Sequence, residues 1–117
     1  MKNSPQNAAL ELSFNFALKS IEFCESLEAS KKYVVSKQLL RSSTSIGAMV
    51  KEAQSAESRN DFIHKLKIAS KEAEETEYWL NLCKYAPTYP KNDELLSMIN
   101  RINKLLTKII SSTRQNQ

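Results

Sequence analysis

"RSSTSIGAMVKEA", residues 41–53, holds four hydroxyl residues and the chain's one glycine, Gly47. All are weak helix formers, yet apolar or small residues recur through the stretch at helical spacing: Val35, Leu39, Ser42, Ile46, Met49 and Ala53. A phosphate-cradling loop would break that period and would need several glycines. A helix therefore runs through the stretch, and the glycine costs it about 1 kcal/mol against alanine. Two readings follow. Ser42, Ser43 and Gly47 can form a seam where a neighbouring helix comes close, the hydroxyls bonding back to carbonyls of the preceding turn. Alternatively the stretch is a kink or a ligand-facing notch.

Working outward, the same period recurs on both sides, and strand-like alternation is absent. A first helix is expected from about Asn7 to Glu28, with a stripe of Leu10, Phe14, Ala17, Ile21 and Cys24. A second apolar line on it, Leu12, Phe16 and Phe23, is wider than a bundle needs, and we assign it to an oligomer interface. Ser30 in "EASKKY" is the expected N-cap of the second helix, which runs to about Ala56. A third helix opens at "SRND", where Ser58 and Asp61 have capping-box spacing. Its stripe is Phe62, Leu66, Ala69, Ala73, Thr76, Leu80 and Cys83. Pro87 and Pro90 end it. Asn92 then caps a fourth helix with a stripe of Leu95, Ile99, Ile102, Leu106 and Ile109. Short connections between long helices favour antiparallel neighbours. The expected fold is all-α, one antiparallel up-and-down four-helix bundle spanning residues 1–117.

The totals agree with a single domain. The chain has 117 residues, 41% hydrophobic and 26% charged, which suits a packed core. No apolar run is long enough to cross a bilayer, and the N-terminal stretch lacks the features of a signal peptide. The expectation is a cytoplasmic protein with no membrane role. Helices one and three are diagonal in such a bundle, so Cys24 and Cys83 should stay reduced and buried rather than pair.

Catalytic and metal-binding patterns are not found. Two-metal bundles want carboxylates and Glu-x-x-His pairs facing inward. The one histidine, His64, follows Asp61 at that spacing but falls on the outer face. No serine stands in a nucleophile motif. The acidic run "KEAEETE" reads as a solvated face, with Lys71 and Glu75 an ordinary four-residue charge pair. No catalytic, cofactor or metal residue is assigned.

The net charge of +4 is uneven: residues 1–28 sum to −2, 29–54 to +4, 55–86 to −1 and 87–117 to +3. Two basic stripes result, Lys37, Arg41 and Lys51 on the second helix and Arg101, Lys104 and Lys108 on the fourth. Either they are solvated faces or they contact phosphates, which requires clustering. On diagonal parallel helices, Lys37 with Arg41 and Lys104 with Lys108 fall at opposite ends. Only an oligomer would join them.

Residues 33–80 carry a resemblance. "QLLRSSTSIGAMVKEA", "DFIHKLKIASKEAEET" and "YWL" resemble segments of the bacterial four-helix bundle proteins encoded by intervening sequences in 23S rRNA genes; Met49 stands where that family usually has Asn. The chain is also similar to accessory proteins of diversity-generating retroelements, which form rings and engage nucleic acid and a reverse transcriptase. The resemblance implies a ring-shaped homo-oligomer, typically a pentamer. Together these point to a non-enzymatic, oligomeric helical-bundle protein that binds structured RNA or another nucleic acid, or a nucleic-acid-processing protein, through basic outer faces. The competing reading is a protein–protein interaction scaffold with no nucleic-acid role.

Overall fold

In a computed structural model describing residues 4–116, four helices run in sequence: α1 (Pro5–Ala29), α2 (Tyr33–Ala53), α3 (Arg59–Tyr85) and α4 (Asp93–Gln115). Each packs on its chain neighbour, and α1 also closes on α4, while the diagonal pairs do not meet. This is an up-and-down four-helix bundle, 48 Å long and about 22 Å across.

Local chemistry sets the ends. Ser4 Oγ accepts from Asn7 N–H at 3.1 Å, with Pro5 in the first turn where no backbone donor is needed. Ser58 Oγ accepts from Asp61 N–H at 3.0 Å, and the Asp61 carboxylate accepts from Glu57 N–H. Asn92 Oδ1 accepts from Leu95 N–H at 2.9 Å. The Lys91 ammonium donates to the carbonyls of Cys83, Ala86 and Tyr89 at 2.9–3.3 Å. It places a cation where the α3 dipole and its orphan carbonyls want one.

The α1–α2 turn differs from expectation. Ser30 closes α1 instead of capping α2, whose preceding residue, Lys32, makes no side-chain cap. Lys31 N–H bonds to the Glu28 carbonyl and Lys32 N–H to the Leu27 carbonyl, both at 2.8 Å. That is a Schellman termination, and it puts Lys31 at φ 65°, a left-handed position that usually takes glycine.

Helix α2 sits between α1 and α3 and turns small residues to both. Toward α1, an added Cβ on Gly47 would stand 3.4 Å from the Ser13 carbonyl oxygen and 3.4 Å from Ser13 Oγ. Further along, Ser36 Oγ donates to the Cys24 carbonyl at 3.0 Å. Toward α3, buried Ser42 Oγ and Thr76 Oγ1 hydrogen-bond at 2.8 Å. Ser43 is buried too and bonds back to the Leu40 carbonyl at 3.3 Å. The odd stretch is an unbroken helix whose hydroxyls are satisfied locally.

Helix α1 corrects the expected layout. Its buried face is Ala9, Ser13, Phe16, Ser20, Phe23, Cys24 and Leu27. Phe16 is 0% and Phe23 6% exposed within one chain, so both are core residues rather than surface offered to a partner. Leu12 is half-buried and packs against the core. Two members of the stripe expected inside, Phe14 and Ile21, are outside at 63% and 40% exposed, beside Leu18 at 49%, while Cys24 of that stripe is buried. The cause is the α1–α2 approach. A face carrying Ser13 and Ser20 lets the backbones close in, and Phe14 on that side would hold them apart. The other helices follow their expected stripes, except that Ile63 and Val50 take the deepest places beside Phe62 and Met49. Both cysteines are free and buried. Desolvation pushes the Cys24 thiol up to about 11 and the Cys83 thiol upward as well.

Gly47→Ala should stabilise the protein by about 0.5–1 kcal/mol, because a methyl meets ordinary van der Waals contact while the helix gains propensity. Gly47→Val should lose about 1–3 kcal/mol, since its branched methyls must press on the α1 backbone. Urea midpoints of the two variants check both signs.

Lys31→Gly should raise the melting temperature, because it relieves roughly 1 kcal/mol of left-handed backbone cost. Lys31→Val, equally neutral but branched, should lower it.

Candidate nucleic-acid interface

The six basic residues singled out in the sequence do not form one surface. Arg41 has the most definite surroundings. Its guanidinium bonds the Glu72 carboxylate at 3.1 Å and is hydrogen-bonded to Glu75 Oε2. Glu75 Oε2 also accepts from the Trp79 indole N–H at 2.9 Å. Arg41 is thus a clasp between α2 and α3, its charge opposed by two carboxylates, and it is not a free phosphate contact. The expected Lys71–Glu75 pair is replaced by this one. Lys71 points outward, and Glu75 faces α2, where a guanidinium offers two-pronged geometry that an ammonium lacks. The "KEAEETE" run is correspondingly only partly a solvated face.

Lys37 is exposed near the start of α2, one helical turn before the paired Arg41. At the opposite end of the bundle, two clefts flank the N-terminal half of α1. Arg101, Lys104 and Lys108 line the α1–α4 cleft with Leu12, Asn15 and Glu11, around a volume of about 540 Å³. Lys51 lines the α1–α2 cleft with Phe14, Ala17 and Glu11, around about 590 Å³. Glu11 borders both. The fold therefore gathers Lys51 with the three α4 bases around one end of α1, a grouping that counting along separate helices does not reveal. None of these four makes an ion pair among the described residues; Lys19 with Glu94 and Lys65 with Glu52 do.

Electrostatically the α1–α4 cleft sets three bases against one acid, an arrangement suited to a polyanion. Among the described residues no group of three or more His, Cys, Asp or Glu could hold a metal ion, and His64 is exposed. No helix among the described residues is long and apolar enough to cross a membrane.

The fold defines a class, the up-and-down four-helix bundles, and in this chain the second and third helices are clasped by Arg41, Glu72 and Glu75. The chain belongs to the 23S rRNA-intervening sequence protein family, whose model matches residues 6–110. It is similar to a protein of unknown function from the S23 ribosomal protein family of Bacteroides thetaiotaomicron, known from a crystal structure. The two chains share 42% identity and a TM-score of 0.87, over 92% of this chain and 99% of that one. No curated protein matches the chain. Arg41, Ser42, Glu72, Glu75, Thr76 and Trp79, which lie in the segments that carried the family resemblance, are the residues that meet in the clasp.

The clasp predicts an acid dependence. Hydrogen bonding to Arg41, and then to Trp79, holds the Glu75 carboxyl below its ordinary 4.5. A depressed folded-state value contributes stability that is present above pH 4.5 and is lost as pH falls through the lower folded value. Because Arg41 and Glu75 are 48% and 34% exposed, Arg41→Met should cost only about 1 kcal/mol near neutrality. The gap between parent and variant urea midpoints should narrow as the pH falls below 4.5.

Proposed function

We propose that this protein works by binding rather than catalysis, as a homo-oligomer that holds structured RNA on its basic faces. One observation carries the reading: Arg101, Lys104 and Lys108 line one cleft beside α1 without ion-pair partners, and Lys51 stands on the other flank of the same helix end. A multi-phosphate ligand needs such clustered, unneutralised charge. The family's name, which ties it to sequences intervening in 23S rRNA, supports RNA over other polyanions.

Self-association is supported by the exposed stripe of Phe14, Leu18 and Ile21. It is continuous with the apolar wall of the α1–α2 cleft, and soluble monomers seldom leave such a line bare. A ring, the pentamer implied by the resemblance, would require this stripe to meet a different surface on the next copy. Such a ring would repeat the α1–α4 basic cleft around its circumference and multiply the phosphate contacts.

The test is a salt titration of affinity for a structured RNA hairpin, with mass by light scattering on the same samples. Lys104→Glu with Lys108→Glu should weaken binding at low salt and flatten the plot of log affinity against log salt by about 1 to 2. Arg41→Met should leave that slope unchanged, because Arg41 is already neutralised. The parent mass should be about five times 13.3 kDa and should fall with Phe14→Lys plus Ile21→Lys. Salt-indifferent or absent RNA binding by an intact oligomer would favour a protein-interaction scaffold, the reading that the exposed α1 stripe alone supports.

A further inference from the structure

We propose that the outer face of α3 is a second nucleic-acid contact, on which unpaired bases stack against Tyr78 and Tyr85 while adjacent lysines take the phosphates. This rests on the nucleic-acid reading above and adds a class of ligand to it: single-stranded segments, alongside the structured RNA held by charge near α1.

The two rings are conspicuously placed. Tyr78 is 58% and Tyr85 76% exposed. Seven residues apart on one helix, they lie about 10.5 Å from each other along the axis and project within roughly 20° of the same direction. Tyr78 is braced from behind. Its ring meets Trp79 edge-on, with centroids 5.2 Å apart and planes at 69°. Trp79 is held by Glu75 at 2.9 Å, and Glu75 is held by Arg41. The clasp between α2 and α3 thereby fixes the indole against which Tyr78 rests. A ring ordered in advance loses less freedom when a base covers it. Tyr85 already has a cation beside it, Lys84 Nζ lying 5.7 Å from the ring centroid.

The charge of the face selects the occupant. Lys67, Lys71 and Lys84 are exposed on α3 and make no ion pair among the described residues, against exposed Glu74 and half-buried Glu77. Arg41 offsets Glu72 and Glu75, which would otherwise add negative charge to the flank. In a subunit contact these lysines would be desolvated without partners, and lysine is depleted in such interfaces. Against a single strand each lysine meets a phosphate and each ring a base face, the combination that sequence-tolerant single-strand binders use. Bases inside a duplex stack are not open to rings on a convex helix, whereas splayed bases are.

The experiment compares fluorescein-labelled oligoadenylate with an RNA duplex of the same length, by anisotropy at low salt. The proteins are the full-length parent, Tyr78→Ala with Tyr85→Ala, and Tyr78→Phe with Tyr85→Phe. The alanine pair should lose about tenfold or more on the single strand. The phenylalanine pair should bind as the parent does, because the ring and not the hydroxyl is needed. Duplex affinity, salt slope, melting temperature and mass should be the same in all three. The proposal is overturned if the alanine pair matches the parent on the single strand, if duplex and single strand weaken together, or if phenylalanine fails to restore binding. A fall in mass for the alanine pair would instead make α3 a subunit contact and overturns it equally. Duplex binding that responds to Lys104→Glu with Lys108→Glu, with single-strand binding indifferent to the tyrosines, sinks this inference and leaves the functional reading standing. A parent that binds neither RNA sinks both.

Discussion

Helix α2 has to lie close to two neighbours at once, and most of the molecule's particular features follow from that constraint. Its glycine and serines let α1 approach until the Ser13 backbone stands at van der Waals distance from where a Cβ would be. On its other flank, Ser42 and Arg41 engage Thr76, Glu72 and Glu75 on α3. Hydroxyls suit this position because each can bond to its own helix or across the seam, so close approach strands little polar surface. Ser20 Oγ is the one buried side-chain oxygen among the described residues without a partner.

That close approach has consequences at the surface. Serines on the inward face of α1 displace large apolar side chains outward, which leaves Phe14, Leu18 and Ile21 in solvent. The α2–α3 clasp removes Arg41 from the pool of free cations and takes two carboxylates out of the acidic run. Among the described residues, unpaired bases then include Lys51, Arg101, Lys104 and Lys108 around the N-terminal half of α1 and Lys67, Lys71 and Lys84 along α3, with Lys37 near the start of α2. Packing and electrostatics are coupled here: the residues that fasten the helices also decide which charges are left for a partner.

Buried polar groups are spent on helix contacts rather than gathered around a pocket, and both thiols are held protonated by burial. The α1–α4 cleft is open and lined by Arg101, Lys104 and Lys108, while the α1–α2 cleft is mainly apolar with Lys51 at its edge.

Four helices, their order, their caps at Ser58 and Asn92 and the Pro-rich stop after α3 were legible in the chain, because period, capping chemistry and proline are local properties. So was the continuity of helix through residues 41–53. The inward face of α1 was not. Leu10, Phe14 and Ile21 form as good an apolar line as Phe16 and Phe23, and hydrophobicity ranks Ser13 and Ser20 as outward residues. Only the distance between α1 and α2 reverses that ranking, since a tight seam selects for small volume over apolar character. Partner choice for Glu75 was likewise nonlocal. Lys71 is the nearest base along the helix, but Arg41, 34 positions away, supplies the geometry that a carboxylate prefers. The grouping of Lys51 with Arg101, Lys104 and Lys108 exists for the same reason: α2 and α4 must both pack on α1 before residues far apart in the chain can share one end of it.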